Sequence, residues 1–412
     1  MAERLSVAQD VEGSIPSSRP NLRTYPNPAA EYPLVPLTHT GIHDPQPSPD
    51  SALSAPDPAS SSIAASPVTA SPIAVSSPGW FTPFVPRRGL SNGHLQTILG
   101  NFLPRPPFLL HPAAETVLVD ARDGSRVLCH CHWQPEPSAC LTVILVHGLE
   151  GSSDSRYIQG IAARAWAANA NVIRMNMRNC GGTDALTPTL YHSGLSGDVG
   201  AVINHFAYRH QLSRIALVGY SMGGNMVLKL AGEWGSRSPL CAVVAVSPAA
   251  DLSVSSDALH RPINRLYEIH FLRRLVARFH RKAALYPSIY RTSNVGPIRS
   301  IREFDDKVVA TYCGFASAED YYQRATAARV IRDIAVPTLV IHAADDPFIR
   351  ILPETRADYL ANPFIKLVET THGGHCAFLS SDSGEEIHWA EATVIRFLQS
   401  LQQHADPTPH AS

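Results

Sequence analysis

Apolar residues fall along this chain in two rhythms. From about Trp80 onward, short apolar runs alternate with segments whose apolar positions recur every three or four residues. The runs predict strands at Thr116–Val119, Arg126–Trp133, Thr142–His147, Val172–Met175, Ile215–Tyr220, Ala242–Ser247, Thr338–His342 and Ile365–Glu369. The helical-period segments predict helices at Tyr157–Ala168, Gly197–Ala207, Asn225–Trp234 and Glu386–Leu401. Two antiparallel-looking strands followed by strand–helix alternation is the pattern of an α/β fold, a mostly parallel central sheet flanked by helices. No internal repeat is visible.

The alternation breaks over 251–336, where the pattern is mainly helical. Inserted between two sheet strands, this segment is expected to form a helical cap over the carboxyl ends of the strands, where such sheets bind ligands. It carries Arg261, Arg265, Arg273, Arg274, Arg278, Arg281 and Lys282 against a single acid, Glu268. Such a run reads first as a solvated helix face. A docking patch over 261–282 for an anionic membrane is the rival, which makes peripheral membrane contact a second expectation. Leu266, Ile269, Phe271, Leu272 and Phe279 are the apolar side chains expected either to line a pocket or to pack the helices.

The N-terminal part has no such rhythm. Sixteen of the 34 prolines precede residue 87, and that stretch holds no Lys and ten charged residues. Runs such as Pro45-Gln46-Pro47-Ser48-Pro49 build neither a helix ladder nor a packed face, so 1–78 is expected to be a disordered tail. A single folded domain is then expected over 79–402, with a disordered end over 403–412. The longest uncharged stretch, Pro58 to Pro86, is broken by Pro67, Pro72, Pro78 and Pro83 and is no membrane span. No secretory signal is visible, which with seven irregularly spaced cysteines points to a reducing, cytoplasmic setting. A net charge of −1 removes the electrostatic case for a nucleic-acid partner.

Candidate chemistry centres on Gly219-Tyr220-Ser221-Met222-Gly223, placed between an apolar strand and a helix. A serine on so sharp a strand-to-helix turn needs neighbours without bulk, and it sits at a helix N-terminus that favours developing negative charge. A serine needs a base, and the base needs a carboxylate to orient it. Both follow in the order Ser, acid, His. Asp346 is favoured as the acid because Pro347 behind it fixes the turn; Asp345 and Asp251 are the alternatives. His375 is favoured as the base because Gly373-Gly374 give its loop reach; His372 is the alternative. Backbone amides of Leu149 and Met222 are expected to form the oxyanion hole, with His147 a structural histidine behind the loop. Cys129-His130-Cys131-His132 alternates faces on a strand and is read as strand rather than metal site. Cys180 is read as a packed thiol.

Several stretches together resemble the YheT-type α/β-hydrolases over roughly residues 80–402. They are Gly93-His94-Leu95-Gln96-Thr97-Ile98, His147-Gly148-Leu149-Glu150-Gly151-Ser152, Tyr191-His192-Ser193-Gly194, Gly219 through Met226, Ile301-Arg302-Glu303-Phe304-Asp305-Asp306, His342 through Phe348, and His372-Gly373-Gly374-His375. The resemblance implies an α/β-hydrolase fold and a serine esterase, with Ser221, Asp346 and His375 matching the triad positions. Eukaryotic members of that group often carry an N-terminal membrane anchor. A proline-serine tail stands here instead, so the anchor is not carried over.

The expected function is therefore hydrolysis of carboxylic esters through an acyl-enzyme. The substrates expected are short- or medium-chain acyl esters or acylglycerol-like lipids, and no cofactor or metal is needed. Acyl transfer to an alcohol and a non-catalytic binding protein on the same scaffold are the rival expectations. Oligomeric state is left open.

Overall fold

The computed structural model describes residues 79–105, 115–381 and 387–403. The tail expected over 1–78 and the end expected over 403–412 lie outside these residues, apart from Gln403. Among the described residues, eight strands form one sheet: β1 Glu115–Asp120, β2 Arg126–His132, β3 Thr142–Val146, β4 Asn171–Met175, β5 Ile215–Tyr220, β6 Ala242–Val246, β7 Thr338–Ala343 and β8 Ile365–Thr370. Their order across the sheet is β1-β2-β4-β3-β5-β6-β7-β8. β1 pairs antiparallel with β2, and β2 antiparallel with β4; every other pairing is parallel. Each predicted strand is present, shifted by at most one residue at either end.

Alternate residues of the central strands feed two separate cores. Ile144 and Val146 of β3, with Val243 and Ala245 of β6, face one cluster; Val143, Leu145, Val244 and Val246 face the other. Helix α2 (Arg156–Ala167) closes the second cluster with Ile158, Ile161, Ala162 and Ala165, a stripe at helical spacing. The C-terminal helix Trp389–Gln403 joins it with Val394, Phe397 and Leu398. Helices α3 (Ser196–His210) and α4 (Met222–Trp234) cover the opposite face. α4 starts three residues before its predicted start, directly behind Ser221. Gly223 and Gly224 hid that first turn through their low helix propensity. A helix that the pattern did not predict, α1 (Gly93–Gly100), is capped by the Asn92 side chain, which accepts from the His94 and Leu95 amides.

Between β6 and β7 the chain runs through α5 (Leu252–Leu259), α6 (Arg265–Leu285) and two further helical segments, Ile301 to Cys313 and Ala318–Ala325. The expectation of a solvated basic face fails at two positions on α6. Arg278 and Lys282 are buried. Arg278 forms a two-pronged pair with Glu150, Nε to Oε1 at 2.8 Å and a second guanidinium nitrogen to Oε2 at 3.0 Å. Tyr191 donates to the same Glu150 Oε1 at 2.5 Å. Lys282 Nζ donates to the Asp184 and Thr187 carbonyls. The acids and acceptors that answer these cations stand more than ninety positions upstream, which is why α6 alone shows an excess of base. Arg261, Arg273, Arg274 and Arg281 are exposed, as a solvated face requires.

A second tie runs through Asn225 on α4, which is fully buried. Its Nδ2 donates to Ser193 O (3.1 Å), Ser193 Oγ (2.9 Å) and Ala325 O (2.9 Å), and its Oδ1 accepts from the Ala327 amide at 2.7 Å. One side chain thus fastens the end of the helical insert and the Ser193 loop to the elbow helix.

Two stability predictions follow from these ties. Asn225→Ala strips buried amides and carbonyls of their partner and is expected to lower unfolding free energy by about 3 kcal/mol in urea denaturation. Arg278→Met leaves Glu150 buried without its paired cation and is expected to cost about 3–5 kcal/mol. Adding Glu150→Gln to Arg278→Met is expected to recover part of that loss. A double variant as unstable as the sum of its singles would contradict the pairing.

Candidate active site

Every candidate side chain comes from a loop at the carboxyl end of a parallel strand, the end at which such sheets bind ligands. Ser221 follows β5 at φ 55° and ψ −116°, a left-handed backbone for a residue with a side chain. The turn is held on three sides. The Ser221 amide donates to Val246 O at 2.9 Å, and its carbonyl accepts from the amides of Asn225 (3.1 Å) and Ala249 (3.2 Å). The sharpness of the turn brings α4 against β3 so closely that a methyl at Gly223 would lie 2.3 Å from Val146 O and 2.4 Å from His147 O.

The loop after β3 is equally determined. Gly148 donates its amide to Tyr157 Oη at 2.8 Å, and Glu150, at φ 55°, is gripped by Arg278 and Tyr191. Between these two fixed residues the Leu149 amide has no hydrogen-bond partner among the described residues, and the Met222 amide, first in α4, has none either. His147 is buried, donating Nδ1–H to Gly148 O (2.8 Å) and accepting from the Met177 amide at Nε2 (3.1 Å). Burial pushes its pKa down to about 4, so the ring is neutral and serves the loop.

After β7, the Asp346 carboxylate is almost fully buried. Its Oδ1 accepts from the amides of Phe348 (3.1 Å) and Ile349 (2.9 Å), and its Oδ2 meets His375 Nδ1 at 2.8 Å. Burial alone would raise the carboxyl's pKa; His375, His342 and the Ile349 amide outweigh it and hold it below the usual carboxylate range. Burial likewise opposes charge on the His375 ring, but the Cys376 sulfur and the Asp346 carboxylate outweigh it and hold the ring's pKa above its ordinary value.

The alternatives are placed elsewhere. Asp345 accepts from the Gly374 amide at 2.9 Å and lies 3.5 Å from His372 Nδ1. Asp251 accepts from the Leu352 amide (2.9 Å) and Thr355 Oγ1 (2.8 Å), at the start of helix Pro353–Ala361. Among the described residues, then, His375 pairs with Asp346 and with neither alternative acid.

Among the described residues no hydrogen bond joins the Ser221 and His375 side chains. Cys376 Sγ lies 3.7 Å from His375 Nε2 and 3.8 Å from Val246 O, the carbonyl that also receives the Ser221 amide. Phe348 packs against the His375 ring at 4.4 Å and lines the same cavity as Ser221. That cavity encloses about 990 Å³ including its open mouth. Leu149, Met222, Phe271, Leu275 and Phe279 give it apolar walls. Of the apolar side chains proposed from α6, Phe271 and Phe279 reach it, whereas Leu266 is exposed. Cys129 and Cys131 pack in the core beneath the sheet, and burial pushes the Cys180 thiol up to about 12, leaving it an unreactive core residue.

The pattern reading missed α1, which holds the His375 loop. Thr97 Oγ1 accepts the His375 amide at 2.8 Å, and Gln96 exchanges hydrogen bonds with both backbone groups of Leu379. Gly93 packs so tightly under the acid loop that a Cβ there would meet Asp345 O at 2.0 Å. The Gly93–Ile98 motif was the available signal, though nothing in its apolar spacing tied it to residue 375.

Residues 127–387 match the model of the Alpha/beta hydrolase family. YheT of Escherichia coli, an esterase by its name, is 32% identical over 322 residues, covering 76% of this chain and 92% of that protein. The phospholipase ABHD3 of Mus musculus is 26% identical over 75% of this chain and 76% of its own length. The medium-chain fatty acid ethyl ester synthase/esterase 2 of Saccharomyces cerevisiae is 28% identical over 63% of this chain and 62% of its own. Among solved structures, the 2,6-dihydroxy-pseudo-oxynicotine hydrolase aligns at 16% identity and TM-score 0.48, covering 73% of this chain and 72% of that one. With eight strands in this order, a serine elbow after β5 and these relatives, the chain belongs to the alpha/beta hydrolase family, in its esterase-type group.

Proposed function

We propose that this protein hydrolyses carboxylic esters through an acyl-enzyme formed on Ser221. The observations that carry the reading are a serine at φ 55° in the wall of a cavity and a histidine whose Nδ1 meets a buried carboxylate at 2.8 Å and whose ring packs on Phe348 of that same wall. Ser221 Oγ attacks the ester carbonyl while His375 Nε2 takes its proton. The bond to the leaving alcohol breaks as His375 returns that proton to the alkoxide. Water, deprotonated by the same nitrogen, then releases the acid and frees the serine. Asp346 holds Nδ1–H and so keeps Nε2 free to accept. The unpartnered amides of Leu149 and Met222 take the oxyanion, each donor contributing roughly 3 kcal/mol of transition-state stabilisation. In the described state Nε2 faces Cys376 Sγ, and the proposed proton transfer requires it to turn to Ser221 Oγ; such bonds are often long before substrate binds.

The apolar walls favour a medium-length acyl chain or an acylglycerol-like lipid. The names of the relatives, a phospholipase and a monoacylglycerol lipase among them, support that substrate class. Acyl transfer to an alcohol is the second reading, favoured by the yeast relative's name as an ethyl ester synthase. Product analysis with added ethanol separates the two, since ester formed in excess of free acid favours transfer.

Turnover of a p-nitrophenyl ester chain-length series tests the main reading. Ser221→Ala is expected to lower kcat at least about a thousandfold while leaving the fold intact by circular dichroism. Unchanged turnover contradicts the assignment. The pH profile carries a second prediction. His375 must be neutral to act as base, so the rate rises with pH through the ring's pKa. Because the Asp346 carboxylate holds that pKa up, Asp346→Asn is expected to move the acid limb to lower pH while reducing kcat. An acid limb that stays in place, or moves up, contradicts the pairing.

A further inference from the structure

One buried carboxyl in the cavity has no part in ester chemistry. Asp305 opens a π-helical turn, Asp305–Ala310, behind the short helix Ile301–Phe304, and such turns recur at functional sites. Only 9% of the residue is exposed, and it lines the cavity that holds Ser221. Its Oδ2 accepts from Tyr322 Oη at 2.6 Å, and Tyr322 Oη lies 3.0 Å from Ser256 Oγ. The phenol has one proton, committed to the shorter bond, so Ser256 donates to the phenol oxygen and the chain runs Ser256 to Tyr322 to Asp305. The other carboxyl oxygen, Oδ1, has no hydrogen-bond partner among the described residues.

The nearby cation does not satisfy it. Arg302 sits over the Tyr322 ring at 4.9 Å, but its guanidinium bonds Asp257, Glu319 and Ser253. Ser256 and Tyr322 line the cavity as well, so the Asp305 carboxyl, with its free acceptor, forms a polar spot in the wall beside the apolar side chains. A purely hydrocarbon ligand would bury that acceptor unpaired, which is unfavourable. An ammonium is disfavoured by the Arg278 guanidinium, which lines the same cavity. A hydroxyl fits: one donor for one oxygen. Burial pushes the Asp305 carboxyl up to about 7, so near neutrality it can accept from a hydroxyl or donate to one.

We propose that Asp305, braced by Tyr322 and Ser256, is a specificity subsite that binds a hydroxyl group carried by the ester substrate away from its scissile carbonyl. The subsite rests on the reading of Ser221 as the nucleophile. The hydroxyl can belong to the acyl chain or to the alcohol part, and matched pairs distinguish them. One pair is p-nitrophenyl octanoate against p-nitrophenyl ω-hydroxyoctanoate; the other is propyl octanoate against monooctanoylglycerol.

The wild-type enzyme is expected to prefer the hydroxylated member of one pair by at least about tenfold in kcat/KM, mainly through KM. The pair that shows it identifies the source. Asp305→Leu is expected to reverse the preference. Asp305→Asn, isosteric and uncharged, is expected to reduce it at least about threefold, since a charge-assisted bond is the stronger one. Stoichiometric fluorophosphonate labelling of each variant shows that it is folded with a competent serine. Labelling and turnover with no preference in either pair, or a preference unchanged in Asp305→Asn and Asp305→Leu, overturns the subsite alone. A wild type that neither labels nor turns over any of the four esters overturns the esterase reading and the subsite with it.

Discussion

A serine held at φ 55° is the constraint around which this structure is arranged. Left-handed backbone at a residue with a Cβ costs on the order of 1–3 kcal/mol and persists only when the surroundings over-determine it. They do so here by adjacency in the sheet. β5 lies between β3 and β6, so Val246 at the end of β6 offers its carbonyl to the Ser221 amide, and the end of β3 presses on Gly223 from the other side. The strain aims the serine out of the sheet, toward the loops after β7 and β8. A parallel sheet delivers all four loops to the same edge, so the geometry at one residue sets where the others must come.

Polar ties act beside apolar packing to keep those loops in place. α1 supports the His375 loop through Thr97 and Gln96, and Asp345 steadies the same loop through Gly374. The helical insert reaches the loop after β3 through Arg278 and Glu150. Buried ion pairs contribute little net stability, because desolvation offsets most of their attraction. Their effect here is one of geometry. Glu150 sits one residue beyond Leu149, so the position of the Leu149 amide depends on α6 being seated. The insert therefore does more than cover the cavity; it fixes part of the site beneath it.

Much of this was legible in the sequence, for a definite reason. The central strands are buried on both faces, and such strands read as near-continuous apolar runs, short and bounded by turn residues. The Gly219–Gly223 spacing located the serine because the turn admits few residues. The choice of Asp346 over Asp345 rested on the proline behind it, and the structure pairs Asp346 with His375. Contacts distant in sequence were not legible. Arg278 and Lys282 looked like surface charge because their partners lie on other elements, far upstream. α1 carried a recognisable motif, but its task, receiving the amide of a residue 278 positions away, has no local signature. Asp305 stood in a motif as well; its burial, and the oxygen it leaves free, exist only once the insert is folded.

The central claim is that Ser221 carries the acyl group. Peptide mapping by mass spectrometry of protein treated with a fluorophosphonate, and separately quenched during turnover of a p-nitrophenyl ester, tests it most directly. The account predicts that both the phosphonyl and the acyl adduct fall on Ser221. An adduct on Cys376 or on another serine, or turnover with no covalent adduct at all, would contradict it.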